Sequence, residues 1–124
     1  MNRKEYARQH YEKNRAIYIE RVKRGKVKSM LRNRKYLLQF LLKHPCVDCG
    51  ESNPILLEFD HRKTEEKVGN IADMSRNGVS LSRLKSEVSK CEIRCANCHR
   101  LKTAREENWW IYRAAEEPGS SPVS

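Results

Sequence analysis

The sequence lacks the features of several common protein classes. No apolar run approaches the length of about 20 residues that a membrane-spanning helix needs, and no apolar segment follows the initial methionine as in a signal peptide. Apolar residues make up only 38% of the chain and aromatic residues 7%, so its 124 residues can bury only a modest core. We therefore expect a soluble, cytoplasmic protein with one small domain and no membrane partner.

Acidic residues are scarce in the first third of the chain. Residues 1–43 carry 14 lysines and arginines against 3 acidic residues, whereas residues 44–124 carry 12 against 13. The whole excess of positive charge therefore lies in an N-terminal basic arm. Such an arm favours nucleic acid as a partner, because Lys and Arg release the counterions that phosphates hold. An anionic membrane surface would also attract it, and a solvated helix face is the alternative without a partner.

The basic arm has the composition of a helix, which we expect to be broken near Gly25. The part before this break has few large apolar residues and is predicted to become fully ordered only on an anionic partner. After the break, apolar residues recur at helical spacing and are predicted to dock on a core: Leu31, Leu38 and Leu42, with Met30, Leu37 and Leu41 beside them. Pro45 ends the helix because proline disfavours helical conformation at the residue before it.

Short elements fill the rest of the chain. The patterns predict strands at 55–61 and 91–95, a helix at 97–112, and short helices and loops over 62–90 that turn at Asn77-Gly78. Residues 113–124 are predicted to be a disordered tail. The resulting fold class is α+β, with a small domain over residues 44–112 that follows the basic helical arm of residues 1–43.

Four of the five cysteines form two Cys-x-x-Cys pairs. Cys46 and Cys49 make the first pair, and Cys95 and Cys98 make the second. Four thiolates fill the tetrahedral shell of a structural zinc ion, which is the metal that this pattern predicts. A redox-active pair is the alternative, but the chain lacks the alternating strands and helices of a thioredoxin-like fold. We predict that Cys91 is a small buried residue and not a ligand.

A second set of residues has the chemistry to bind a different ion. His99 follows Cys98 on the predicted helix, so its side chain points about 100° around the axis from that ligand. Asp60 and His61 stand at the end of the first predicted strand. A hard ion such as Mg2+ accepts a carboxylate and a neighbouring imidazole beside substrate phosphates, and a histidine is a natural general base.

Together these motifs resemble the HNH endonucleases, in particular the zinc-stapled group of small, often phage-encoded proteins. The resemblance is carried by CVDCG, LEFDHR, the segment from Lys67 to Met74, and EVSKCEIRCANCHRLKT. It implies a ββα-metal, treble-clef-like fold and hydrolysis of phosphodiester bonds in DNA. It also implies that Asp60 and His99 bind a catalytic Mg2+ or Mn2+ ion and that His61 takes the proton of the attacking water.

Other expectations accompany this resemblance. Arg62, Arg100 and Lys102 are close enough in sequence to contact DNA phosphates. The chain departs from the family pattern at Lys90, where an asparagine that orients the general base is expected; a backbone carbonyl or Glu87 would have to orient His61 instead. The resemblance also suggests a phage terminase as a partner and the cytoplasm of the bacterial host as the location. We expect the protein to be a monomer or a weak homodimer.

Two other classes of function remain open from the sequence. The first is a non-catalytic zinc-bound module that binds nucleic acid through the basic arm. The second is an interaction protein that uses Trp109 and Trp110 as a hydrophobic anchor. Convergence of Asp60, His61 and His99 on one ion would separate the nuclease from both, because binding alone does not require this set.

Overall fold

The structure, a computed structural model, describes residues 2–116. Its elements are α1 (Arg3–Lys13), α2 (Arg15–Lys43), β1 (Leu57–His61), α3 (Ile71–Arg76), α4 (Leu81–Val88), β2 (Cys91–Cys95), α5 (Ala96–Glu106) and α6 (Trp110–Glu116). Helices thus accompany one two-stranded antiparallel sheet, which confirms the predicted mixture of helix and strand. None of the helices in this part of the chain combines the length and apolar character that a bilayer crossing requires.

The chain divides into two compact units, and their boundary falls inside α2. Within the described residues, the first unit contains residues 2–37 and 67–88, and the second contains residues 38–66 and 89–116. The sequence placed the boundary at residue 43 instead. The difference arises because α3 and α4, which were predicted as an excursion of the second domain, group with the basic arm.

Buried polar contacts hold the first unit together. Asn33 is fully buried, and its Nδ2 donates to the carbonyl oxygens of Val79 at 3.0 Å and Ser75 at 3.4 Å. The turn between α3 and α4 is at Asn77-Gly78, as predicted. Gly78 has φ 71°, and a Cβ added there would lie 3.2 Å from Ser29 Cβ, so this turn requires glycine.

The break in the basic arm lies at Asn14 and not near Gly25. The Asn14 side chain donates from Nδ2 to the carbonyl oxygen of His10 at 2.8 Å, which ends α1 by the local bonding that asparagine favours. α2 continues through Gly25, because one glycine costs a helix only about 1 kcal/mol. The prediction of a break at Gly25 was therefore wrong.

Of the six apolar residues of α2 that were predicted to dock on a core, only three are even partly buried. Half or more of each side chain in the first row is exposed, namely Leu31, Leu38 and Leu42. The second row, Met30, Leu37 and Leu41, is partly buried. Both rows have helical spacing, so their burial is decided by tertiary partners, among them those of Asn33.

In the second unit, β1 and β2 pair with Leu57 opposite Cys95, Asp60 opposite Glu92 and His61 opposite Cys91. Alternate side chains face opposite sides of the pair. One face joins the apolar core, which contains Cys46, Leu57, Ile93 and Cys95, with Phe40, Leu41 and Phe59 packed against it. The other face is polar and carries Glu58, Asp60, Glu92 and Arg94, and α5 lies against it.

Three predicted boundaries differ from those of the structure. β1 starts at Leu57 and not at Ile55, because residues 54–56 form a 3-10 turn capped by Asn53. The helix predicted over 97–112 is two helices, since Asn108 takes the left-handed conformation with φ 54° between α5 and α6. The predicted tail is helical as far as Glu116, and residues 117–124 lie outside the described part of the chain.

Candidate metal centre and adjacent polar cluster

The two Cys-x-x-Cys pairs meet as predicted. The Sγ atoms of Cys46, Cys49, Cys95 and Cys98 all lie within 4.8 Å of one another, and those of Cys49 and Cys95 are 3.7 Å apart. A tetrahedral ion with bonds of about 2.3 Å to sulfur requires a separation of about 3.8 Å. The cluster can therefore hold a metal ion such as zinc. Cys91 is buried outside this cluster.

Local backbone bonds shape the first pair into a tight knuckle. The Gly50 N–H donates to the carbonyl oxygen of Cys46 at 2.9 Å, and Gly50 has φ 80°, a conformation that glycine adopts without strain. The Val47 N–H donates to the carbonyl oxygen of Ile93 at 2.9 Å. This bond attaches the knuckle to β2, whose last residue is Cys95.

The thiols of Cys46 and Cys98, two members of the cluster, differ in their pKa values. Burial raises the pKa of the Cys46 thiol, but hydrogen bonds from the backbone of Cys95, Cys49 and Asp48 lower it more, to about 6. The pKa of Cys98 is raised instead, chiefly by the neighbouring sulfurs of Cys95 and Cys49. The neighbouring sulfurs thus oppose the ionisation of Cys98, and a bound cation is what allows four adjacent thiolates to coexist.

A polar cluster of Glu58, Asp60, Arg94, His99 and Lys102 lies between the sheet and α5. Asp60 is at its centre, with a side chain that is 10% exposed and an Oδ2 that accepts from Arg94 Nη1 and Lys102 Nζ, both at 2.8 Å. Burial raises the pKa of Asp60, but hydrogen bonds from Lys102 and Arg94 lower it below its ordinary value. Asp60 is therefore an ionised carboxylate with one oxygen already bound.

The second oxygen of Asp60 faces His99. Asp60 Oδ1 lies 3.5 Å from His99 Nε2, while His99 Nδ1 lies 2.6 Å from Glu58 Oε2. An ionised carboxylate can only accept a hydrogen bond, so Nδ1 carries the proton. In the neutral imidazole the lone pair of Nε2 then faces Asp60. A carboxylate behind the remote nitrogen is the usual support of a metal-binding histidine.

The polar cluster is joined to the cysteine knuckle by Arg94. Besides Asp60, its guanidinium donates to Asp48 Oδ2 at 2.8 Å and to Glu92 Oε2 at 2.9 Å. Asp48 stands between the two cysteines of the first pair. Arg94 is 11% exposed, so a largely buried guanidinium connects the candidate metal centre to the polar cluster.

Sequence reasoning missed two members of the cluster. Glu58 stands two residues before Asp60, and alternation along a strand could have placed both on one face. Arg94 stands between Ile93 and Cys95 in a short strand that alternates apolar and charged residues, and nothing in the sequence distinguishes it from a solvent-exposed arginine. Its partners come from other parts of the chain and become visible only in the folded unit.

His61 is placed differently from the other two predicted catalytic residues. It is the last residue of β1 and is opposite Cys91. Alternation puts its side chain on the face that carries Leu57 and Phe59, whereas Asp60 is on the polar face. The fold therefore brings Asp60 and His99 together but turns His61 to the opposite side of the sheet.

Glu87, one of the two groups predicted to orient His61 in place of the missing asparagine, belongs to a different unit from His61. Glu87 is buried in the first unit, where its Oε2 accepts the N–H of Val68 at 3.1 Å. His61 belongs to the second unit. Orientation of His61 by Glu87 or by a backbone carbonyl stays a prediction.

The basic residues predicted to contact DNA differ in their surroundings. Lys102 is inside the polar cluster on Asp60. Arg62 donates to the carbonyl oxygen of Ser89 at 2.8 Å, and the Arg100 guanidinium lies 4.9 Å from the centre of the Trp109 ring. Arg62 and Arg100 are the more accessible of the three.

No family model, curated protein or solved structure matches the chain. The function must therefore be inferred from the two clusters themselves. Within residues 2–116, the four cysteines are the one group of three or more metal-binding side chains close enough to share an ion. Asp60 and His99 form only a pair, which suits an ion that keeps several water ligands.

Proposed function

We propose that the protein is a metal-dependent DNA endonuclease of the HNH type. The observation that carries this proposal is the pair of Asp60 Oδ1 and His99 Nε2, 3.5 Å apart, with Glu58 behind the imidazole. The chain order of two strands followed by a helix agrees with the ββα-metal unit that the sequence resemblance implies. The four cysteines hold a structural zinc in this proposal, and the basic arm draws the protein to DNA.

Each residue of the polar cluster has a distinct task. Asp60 and His99 hold Mg2+ or Mn2+, and Glu58 fixes the orientation of the His99 ring and the neutral tautomer in which Nε2 has the lone pair. Arg94 and Lys102 keep Asp60 ionised and in place. The ion, when bound, stabilises the charge that develops on the phosphate and on the leaving 3′ oxygen.

We assign the general base to His61, which would accept the proton of the attacking water. Because its side chain is on the face opposite Asp60, this task requires the scissile phosphate to lie at the end of β1. A phosphate over the middle of the polar face could not reach both residues. The proposal therefore requires DNA to bind with its scissile phosphate at the end of β1.

The test is cleavage of supercoiled plasmid with Mg2+ or Mn2+ by zinc-loaded protein. Asp60→Asn, His61→Ala and His99→Ala should each abolish nicking at unchanged zinc content. His44→Ala is the matched control, because His44 stacks on Phe40 outside the polar cluster and its removal should leave nicking intact. Full activity of His99→Ala would refute the proposal.

A zinc-bound module that binds nucleic acid without cleaving it is the second candidate. It is favoured by the two cations on Asp60, since Arg94 and Lys102 already neutralise the charge that a divalent ion needs. This candidate predicts DNA binding without nicking and no Mn2+ binding that depends on His99. The plasmid assay and a Mn2+ titration of His99→Ala distinguish the two.

A further inference from the structure

The basic arm carries a row of aromatic rings in addition to its charge. Tyr6 stacks on His10 with centroids 6.1 Å apart, His10 meets Tyr18 edge-on at 6.1 Å, and Tyr11 stacks on Tyr18 at 5.6 Å. Three of the five tyrosines of the chain thus fall within residues 6–18. Such enrichment in a segment that is otherwise charged calls for an explanation.

These rings do not belong to a hydrophobic core. α1 has no buried residue, and Tyr6 and Tyr11 are 65% and 48% exposed. Exposed tyrosines lose the burial that normally stabilises an aromatic side chain in a protein. A ligand with flat apolar faces would restore that burial.

Positive charge surrounds the rings. Residues 3–24 carry eight lysines and arginines against three acidic residues, and one of the acidic residues, Glu20, is already paired with Arg24 at 2.6 Å. The ligand is therefore both flat and anionic. Nucleobases linked by phosphates meet both conditions, since every base has a face for stacking and every linkage has a charge for Lys or Arg.

We propose that residues 3–24 form a stacking platform for single-stranded nucleic acid. A duplex is a poorer ligand, because its base faces are hidden against one another and it offers only phosphates to the arm. A lipid surface is also a poorer ligand, because interfacial helices carry a wide apolar face, whereas the large aliphatic residues of this segment are only Ile17, Ile19 and Val22 and none of them lies in α1. The proposal concerns the arm alone and stands whether or not Asp60 and His99 support cleavage.

The rings could instead serve only to brace the junction at Asn14, since Tyr11 and Tyr18 lie on either side of it. The double variant Tyr6→Leu/Tyr11→Leu separates these roles. Leucine keeps apolar bulk and favours helix, so circular dichroism should show an unchanged helix content. Ile17→Ala is the matched control, because Ile17 is equally exposed on the same arm and has no ring.

The experiment measures binding of full-length, zinc-loaded protein to labelled oligo(dT), oligo(U) and a DNA duplex of equal length by fluorescence anisotropy. We expect the protein to bind a single strand more tightly than the duplex. Tyr6→Leu/Tyr11→Leu should weaken single-strand binding about tenfold or more without changing the salt dependence. Arg8→Gln/Lys13→Gln should lower the slope of log K against log salt by about 1.4, at about 0.7 per phosphate contact.

The results separate the possible ligands. Ring-dependent binding of either oligo(dT) or oligo(U) supports the platform and identifies the sugar that it prefers. Equal single-strand affinity of the wild type and the Tyr6→Leu/Tyr11→Leu variant would overturn it, as would tighter binding to the duplex. Ring-dependent binding to phosphatidylserine vesicles without binding to either single strand would overturn it in favour of a membrane surface.

Discussion

His99 Nδ1 lies 2.6 Å from Glu58 Oε2, and this contact determines which nitrogen of the imidazole carries the proton. The opposite nitrogen, Nε2, is 3.5 Å from Asp60 Oδ1. Glu58 and Asp60 lie two residues apart on the polar face of β1, so the strand presents one carboxylate to each nitrogen of the same ring. This arrangement makes Glu58 a positioning residue in the proposed ion site.

Removal of the Glu58 charge should weaken the proposed ion site without unfolding the protein. In Glu58→Gln the amide holds the imidazole less firmly and makes Nε2 a poorer ligand, so Mn2+ affinity should fall about 10- to 100-fold. Titration of Mn2+ followed by electron paramagnetic resonance measures this affinity. Glu65→Gln, at an exposed glutamate, is the matched control and should bind Mn2+ like the wild type. An unchanged affinity in Glu58→Gln would remove Glu58 from the site.

Two of the three ion pairs of Arg94, those with Asp60 and with Asp48, should differ greatly in their contribution to stability. Arg94→Met leaves the largely buried Asp60 carboxylate with one partner fewer and should lower the free energy of unfolding by about 3 kcal/mol or more. Asp48→Asn removes only the pair with Asp48, but Asp48 is 47% exposed, and exposed pairs contribute at most about 1 kcal/mol. Urea unfolding of the zinc-loaded proteins compares the two. Similar losses for both variants would contradict the buried network.

Substitution of a clustered cysteine and of Cys91 should have different effects on the amount of zinc that the protein binds. Cys46→Ser removes one of four clustered sulfurs and should reduce bound zinc to a small fraction of one equivalent, with loss of the cooperative unfolding of the second unit. Cys91→Ser, at a buried cysteine outside the cluster, should retain one equivalent. Elemental analysis and a thermal scan give both quantities. Loss of zinc from Cys91→Ser, or an unchanged thermal transition after complete chelation, would refute the assignment.

Two glycines should respond to alanine with opposite signs. Gly78→Ala forces an L-residue into a left-handed backbone conformation and places a methyl group against Ser29, so it should destabilise the protein by about 1–2 kcal/mol. Gly25 is within α2 with open space around it, and Gly25→Ala should stabilise the protein by about 0.5–1 kcal/mol. The midpoints of urea unfolding of the two variants, each compared with that of the wild type, test these predictions. A destabilised Gly25→Ala would show that α2 needs its flexibility there.

Much of the molecule could be predicted because the signals are local. Two Cys-x-x-Cys pairs bring four sulfurs together whatever the intervening chain does, provided that the knuckle and the helix start can meet. The strands at 57–61 and 91–95 and the turn at Asn77-Gly78 likewise follow from short-range preferences. The proximity of Asp60 and His99 follows from the pairing of β1 with β2. Asp60 lies on β1, and His99 lies on α5, which begins directly after Cys95 at the end of β2.

Tertiary structure alone decided the remaining features, because each depends on partners that are distant in the chain. Six apolar residues of α2 were predicted to dock on a core, but in the folded chain Leu31, Leu38 and Leu42 are exposed and only the row beside them is partly buried. Alternation along β1 already separates His61 from Asp60, but only the folded unit shows that α5 lies against the face that carries Asp60. The role of Arg94 depends on Asp48 and Asp60 arriving from separate loops and strands. By itself the sequence therefore identified the four cysteines, Asp60 and His99 as candidates, whereas the fold added Glu58 and Arg94 and determined which of these side chains face one another.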